Sequence, residues 1–296
     1  MPFLGELCAL LTACLWSCSA MLFAAATKHV GSFQVNITRL ILAVLYLVLL
    51  VALLQLEVHL SSSQLTYLAI SGVIGLSVGD TFLFKAFQEI GARMSMLIMS
   101  LAPATAAVLA FFVLDESMSL IGIGGICITI AGISIVVFDR ERDKGTRIPL
   151  STAGVTYALL AAAGQGVGLV IAKLAFRESE VNGFVATAIR IGASLAILLP
   201  LAVMTKRYVS PLRMFMKHRR AFHLAAAGSV LGPFLGISLS LIAIEHTHVG
   251  IAATIMAIVP IIMLPLVRFV YKERLSQRAI LGAFAAVAGV GMLFLR

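Results

Sequence analysis

Residues 75–132 read GLSVGDTFLFKAFQEIGARMSMLIMSLAPATAAVLAFFVLDESMSLIGIGGICITIAG, and their punctuation returns in residues 232–289. Gly75, Gly79, Ala86, Pro103, Glu116, Gly125 and Gly132 are matched by Gly232, Gly236, Ala243, Pro260, Glu273, Gly282 and Gly289, all at one constant offset. Upstream, Asn36-Ile37-Thr38-Arg39-Leu40 and Thr187-Ala188-Ile189-Arg190-Ile191 each set an arginine near the start of an apolar run. Apolar composition alone does not reproduce breakers and charges at fixed spacing. The chain is two copies of one unit.

Composition says where those copies reside. Of 296 residues, 61% are hydrophobic and 12% charged, with a mean hydropathy of +1.07. A soluble domain carries about 25% charged and about 45–50% apolar residues, so this chain lacks the polar surface to cover itself in water. That excludes a cytosolic enzyme, a secreted domain and a disordered chain. One spanning helix needs about 20 apolar residues. The runs predict ten spans: 3–26, 34–56, 65–88, 92–113, 118–138, 151–175, 182–204, 221–244, 248–271 and 276–295. The expected fold is an all-α integral membrane protein. The first run ends in Ala24-Ala25-Ala26, but it is too long for a cleaved signal peptide and no Lys or Arg precedes it. Only the connections 139–150 and 205–220 are long, and neither has room for a soluble domain. Function therefore has to lie within the bilayer.

Each copy holds five spans: residues 1–138 form the first, 139–150 a linker and 151–296 the second. Five is odd, so the second copy is expected to enter the membrane inverted relative to the first. Such inverted repeats belong to secondary transporters, whose halves exchange conformations around a central site. The connections after spans 1, 3, 5, 7 and 9 carry fifteen Lys and Arg, among them Lys28, Arg93, Arg140, Arg213 and Lys272. The opposite side holds Arg177 and Arg296. By the positive-inside rule the odd-numbered loops are cytoplasmic and both termini lie outside a cell (inner or plasma) membrane. The net charge of +9 is thus an orientation signal, and no nucleic-acid partner is expected. Cys8, Cys14, Cys18 and Cys127 lie in apolar runs without His or carboxylate at ligand spacing. They read as packing residues, with neither metal nor cofactor expected.

Within the first copy, Gly79-Asp80-Thr81-Phe82-Leu83-Phe84-Lys85-Ala86-Phe87 leads through Ile90-Gly91-Ala92-Arg93 to Ser100-Leu101-Ala102-Pro103. Leu114-Asp115-Glu116-Ser117-Met118-Ser119 and Gly125-Ile126-Cys127-Ile128-Thr129-Ile130-Ala131-Gly132 follow. The second copy has Ala243, Pro260, Tyr271-Lys272-Glu273-Arg274-Leu275-Ser276, Gly282 and Gly289. This series resembles the closing half of an EamA repeat of the drug/metabolite transporter superfamily, and the likeness covers nearly the whole chain. It implies spans 1, 3, 4, 6, 8 and 9 around a central cavity, with spans 5 and 10 peripheral. It leaves the substrate open, because the family moves amino acids, sugars, nucleotides and drugs. Asp115 departs from the pattern, standing where the family more often has Gly.

Individual residues divide between packing and function. Ser71, Gly75 and Gly79, like Gly228, Gly232 and Gly236, form small-xxx-small ridges that favour close helix packing over substrate contact. Pro103 and Pro260 predict bent helices lining a cavity. Glu116 and Glu273 read as loop or helix-start residues. Arg39, Lys85, Lys173 and Glu245 lie near enough to span ends to anchor at headgroups, whereas Arg190 is too deep for that and either pairs with a carboxylate or binds an anionic group. Trp16 and Gln165, at similar depth in the two halves, serve as substrate contacts or as helix contacts; Ser17, Thr105 and Thr254 are weaker candidates of the same kind. Asp80 lies deep in span 3, and its repeat partner is the apolar Ile237. It is either a proton site or one half of a buried ion pair with Arg39 or Lys85.

The reading as a whole is a secondary transporter that exports a small organic metabolite, amino-acid-like or drug-like, by alternating access with proton coupling. The bilayer, a small-molecule substrate and protons are the expected partners, and a monomer the expected state. The alternatives are an uncoupled facilitator or a flippase for a lipid-linked group. No G-x-x-x-x-G-K-[ST] or H-E-x-x-H motif is present, Gly75-Leu76-Ser77-Val78-Gly79 has the G-x-S-x-G spacing but lies inside an apolar helical run and makes no strand-to-helix elbow, and the six histidines lie in loops or at span ends, which speaks against an ATP-driven pump and an intramembrane enzyme.

Overall fold

A computed structural model of the chain describes residues 3–113, 119–142, 151–179, 181–205, 208–247, 252, 255–272 and 275–292, with the side chains of 140–142 and 244–245 excepted. Glu116, Glu273, Thr254, most of the 139–150 linker and the side chain of Glu245 lie outside the described residues. The first copy contains α1 (Leu4–Val30), α2 (Ser32–Leu53), α3 (Ser62–Gly72), α4 (Asp80–Met99), α5 (Ala102–Val113) and α6 (Leu120–Arg142). The second contains α7 (Thr152–Glu178), α8 (Gly183–Met204), α9 (Pro211–Lys217), α10 (Arg219–Ser229), α11 (Ile237–His246), α12 (Val259–Val270) and α13 (Gln277–Met292).

Helix satisfies every backbone donor and acceptor within one segment, which is what apolar runs need away from water. Polar caps mark several starts. Ser61 closes a capping box with Gln64 ahead of α3, Ser151 accepts from Gly154 N ahead of α7, and Asn182 accepts from Phe184 N ahead of α8. Seven helices among the described residues are long and apolar enough to cross a bilayer, and three shorter apolar ones accompany them: α5, α12 and α13. Leu49, Phe112, Leu120 and Leu281 are exposed on outward faces, where lipid rather than water suits them. The chain is a multi-pass membrane protein.

Two wide π turns, Val73–Gly79 between α3 and α4 and Val230–Gly236 between α10 and α11, occupy repeat-matched positions. Nothing in the hydrophobic pattern announced them. Pro233 removes a backbone donor inside the second. Packing also obeys the repeat: α1 lies against α10 and α11 while α7 lies against α3 and α4, α2 pairs with α8, and α6 crosses α13. The small-residue ridges provide the close contacts. A Cβ on Gly168 of α7 would stand 3.1 Å from Gly75 Cα, and one on Gly289 of α13 would stand 2.5 Å from Gly125 O of α6.

The proline helices differ from the expectation of continuous, bent spans. The helix from Ser62 passes the end of span 3 and turns at Gly91 (φ 79°), a left-handed value that glycine accepts without Cβ strain. It then stops at Met99, and Pro103 sits in the first turn of the separate α5. Pro260 likewise falls in the first turn of α12. A proline costs no helical hydrogen bond there, because a first-turn N–H has no partner within the helix anyway. The prolines start new helices after a break; they do not bend old ones.

Candidate functional site

A cavity of about 620 Å³ lies between the two copies, lined from both. Both breaks open onto it: Met99 and Pro103 line one wall, Met256 and Pro260 another. Trp16 and Phe23 of α1, Phe84 and Phe87 of α4 and Met96 add an apolar surface. Spans 5 and 10 contribute no lining residue among those described. Spans 2 and 7, which the family resemblance left out, each contribute an arginine, Arg39 and Arg190.

Asp80 opens α4 directly after the first π turn and is 4% exposed. Its Oδ2 is paired with Arg39 Nη2, and its Oδ1 accepts from Gln165 Nε2 at 2.7 Å. Gln165 Nε2 also donates to Gly75 O at 3.3 Å, a carbonyl within the π turn. Arg39 is held from behind as well: its Nε donates to Asn36 Oδ1 at 3.0 Å, and its guanidinium lies 4.7 Å from the Phe84 ring centre. Asn36 in turn donates to Thr81 Oγ1 at 3.0 Å. Removing two charges from water costs several kcal/mol per ion, and only close pairing with further hydrogen bonds offsets it. This cluster has both features. Asn36 was not singled out from the sequence, although a residue three positions before Arg39 shares its helix face.

Arg190 is buried without such company. It is 3% exposed and lines the cavity. Its Nε has no hydrogen-bond partner among the described residues. Asp80 attracts it only electrostatically, and that carboxylate is already committed to Arg39. The arrangement follows the repeat: Ile237 stands in the second copy where Asp80 stands in the first, and it lines the same cavity.

The remaining candidates separate. Trp16 lines the cavity and also packs on the end of the second π turn, where a Cβ on Gly236 would fall 2.5 Å from its Nε1. Lys173 and Arg177 of α7 line the cavity too. Lys85 is not a lining residue; it is exposed, with its Nζ 5.3 Å from the Tyr157 ring centre and 5.6 Å from that of Phe82. The choice between Arg39 and Lys85 as partner of Asp80 therefore falls to Arg39. Ser17 donates to Ala13 O of its own helix and reaches Val259 O of α12 at 3.5 Å, and Thr105 donates to Leu101 O four residues back. Arg93, read from sequence as a loop charge, is buried.

Comparison with known proteins agrees with this architecture. The chain matches the EamA-like transporter family twice, over residues 3–138 and 152–295. It belongs to that family of membrane transporters, within the drug/metabolite superfamily. A WAT1-related chloroplastic protein of Arabidopsis thaliana is 26% identical over 113 residues, which is 38% of this chain and 27% of that protein. The chain thus matches about a quarter of that relative's length. A solved crystal structure superposes with a TM-score of 0.67 and 15% identity, covering 98% of both chains. That likeness concerns the fold alone.

Proposed function

We propose that the protein is a secondary transporter of the cell membrane that exports a small organic metabolite by alternating access, with two inverted five-span units (1–138 and 151–296) moving about the shared cavity. In this reading ten spans cross the membrane, the loops after spans 1, 3, 5, 7 and 9 are cytoplasmic, and the carrier works as a monomer. The observation that supports it most is the cavity itself, walled by helices broken at repeat-matched prolines. Broken helices with small-residue contacts can rock on one another without unmaking a packed core.

Coupling to protons is proposed to act through Asp80. In this reading the other conformation draws the Arg39–Asp80 pair apart and opens the carboxylate to the proton path. The pairing itself favours the alternative of an uncoupled facilitator, in which the Arg39–Asp80 pair stays closed throughout. Candidate solutes come from a metabolite-toxicity screen with and without overexpression, followed by proteoliposome uptake under an imposed pH gradient. Solute movement that follows the gradient in wild type, and loses that dependence in Asp80→Asn protein still inserted in the vesicles, is the expected result. Normal proton coupling in Asp80→Asn would remove this residue from the mechanism, and movement indifferent to the gradient in wild type would favour the facilitator.

A further inference from the structure

We infer that the transported solute is an organic anion with an apolar body, and that Arg190 is its counter-ion. The inference rests on the carrier reading above and names the substrate class of that same cavity. The first copy supplies an arginine and the acid that neutralises it, Arg39 and Asp80. The second copy supplies the matching arginine, Arg190, without that acid, because Ile237 stands in its place. Arg190 is buried, borders the cavity and leaves Nε unpartnered among the described residues. A guanidinium cannot shed its proton to escape that cost, so its charge calls for an anion. A carboxylate or phosphate oxyanion meets the planar fork of an arginine with charge-assisted hydrogen bonds. The rest of the cavity sets what carries that oxyanion: Trp16, Phe23, Phe84 and Phe87 suit an aromatic or aliphatic body. A volume of about 620 Å³ accommodates a small metabolite.

The test is equilibrium binding of radiolabelled 1-naphthoate to the full-length protein in phosphatidylcholine nanodiscs, with 1-naphthamide as the neutral isostere. The carboxylate should bind on the order of tenfold or more tighter than the amide, the scale of one charge-assisted pair. Arg190→Gln should erase that preference. Ile237→Asp, which restores the acid of the first copy, should raise thermal stability and abolish naphthoate binding. Equal binding of acid and amide, or an acid preference that survives either substitution, would overturn the proposal and leave Asp80 as counter-ion of both arginines. Repeating the measurement in phosphatidylglycerol nanodiscs separates the sources of the oxyanion: competition by this lipid assigns the site to a headgroup, and unchanged binding assigns it to a free solute. Naphthoate that binds through Arg190 but crosses no proteoliposome membrane would sink the carrier reading while the anion site stands.

Discussion

Asp80 shows how one carboxylate organises several helices. It joins Arg39 of α2 and Gln165 of α7 to the start of α4, with Asn36 and Phe84 completing the cluster. Breaking a buried pair by removing one partner costs about 3–5 kcal/mol, because the other charge is left uncompensated. Arg39→Gln and Asp80→Asn alone should therefore each lower the unfolding temperature in detergent. The double variant should recover much of the loss, since two neutral amides still hydrogen-bond. A double variant whose loss equals the sum of the two single losses would show the pair to be energetically idle. Asp80 was legible in the sequence as a costly intramembrane charge, but its choice between Arg39 and Lys85 was not. Lys85 is only five residues away along the chain, yet it points to an exposed face beside Phe82 and Tyr157. Proximity in sequence gave no guide, because helix rotation decides which side chains face inward.

Among the elements, the glycine crossings divide by what lies against them. A methyl on Gly236 would press on Trp16, while one on Gly289 would press on the backbone of α6 at Gly125 and on Thr129. Overpacking such contacts costs typically about 1–3 kcal/mol. Trp16 is the only tryptophan, so its emission reports the cavity wall without labelling. Gly236→Ala should shift that emission and alter solute uptake, because the indole must move. Gly289→Ala should lower the unfolding temperature and leave the emission as it was, since no described residue of α6 or α13 lines the cavity. An emission shift in Gly289→Ala alone would mean that the outer pair transmits to the cavity. The breaks before Pro103 and Pro260 were foreseeable as irregularities from the prolines themselves. Their form was not, because whether a proline bends a helix or begins one depends on where the preceding turn closes. Here Leu101 N bonds Ile98 O and Ile258 N bonds Ile255 O, tight closures that end each preceding segment.

At the scale of the whole molecule, the expected orientation is open to a direct check. In a variant without Cys8, Cys14, Cys18 and Cys127, a cysteine at exposed Leu212 should react with an impermeant maleimide only from the cytoplasmic side. One at exposed Glu57 should react only from outside; the reverse pattern would invert the topology. The basic bias of the odd-numbered loops carries this expectation, and it is a local property that needs no fold. Membrane residence, two copies of one unit and the breaker positions follow from the sequence by itself for the same reason: hydropathy and the spacing of prolines and glycines are written along the chain. The tertiary structure alone decided that Arg39 and Asp80, 41 residues apart, are paired and that Gln165, 85 residues from Asp80, joins them. It also decided that Arg190 lies buried against the cavity with its Nε unpartnered among the described residues. These are matters of helix rotation and close approach, set when the glycine ridge of each copy locks onto the first helix of the other, α7 and α1, and no period in the sequence encodes them.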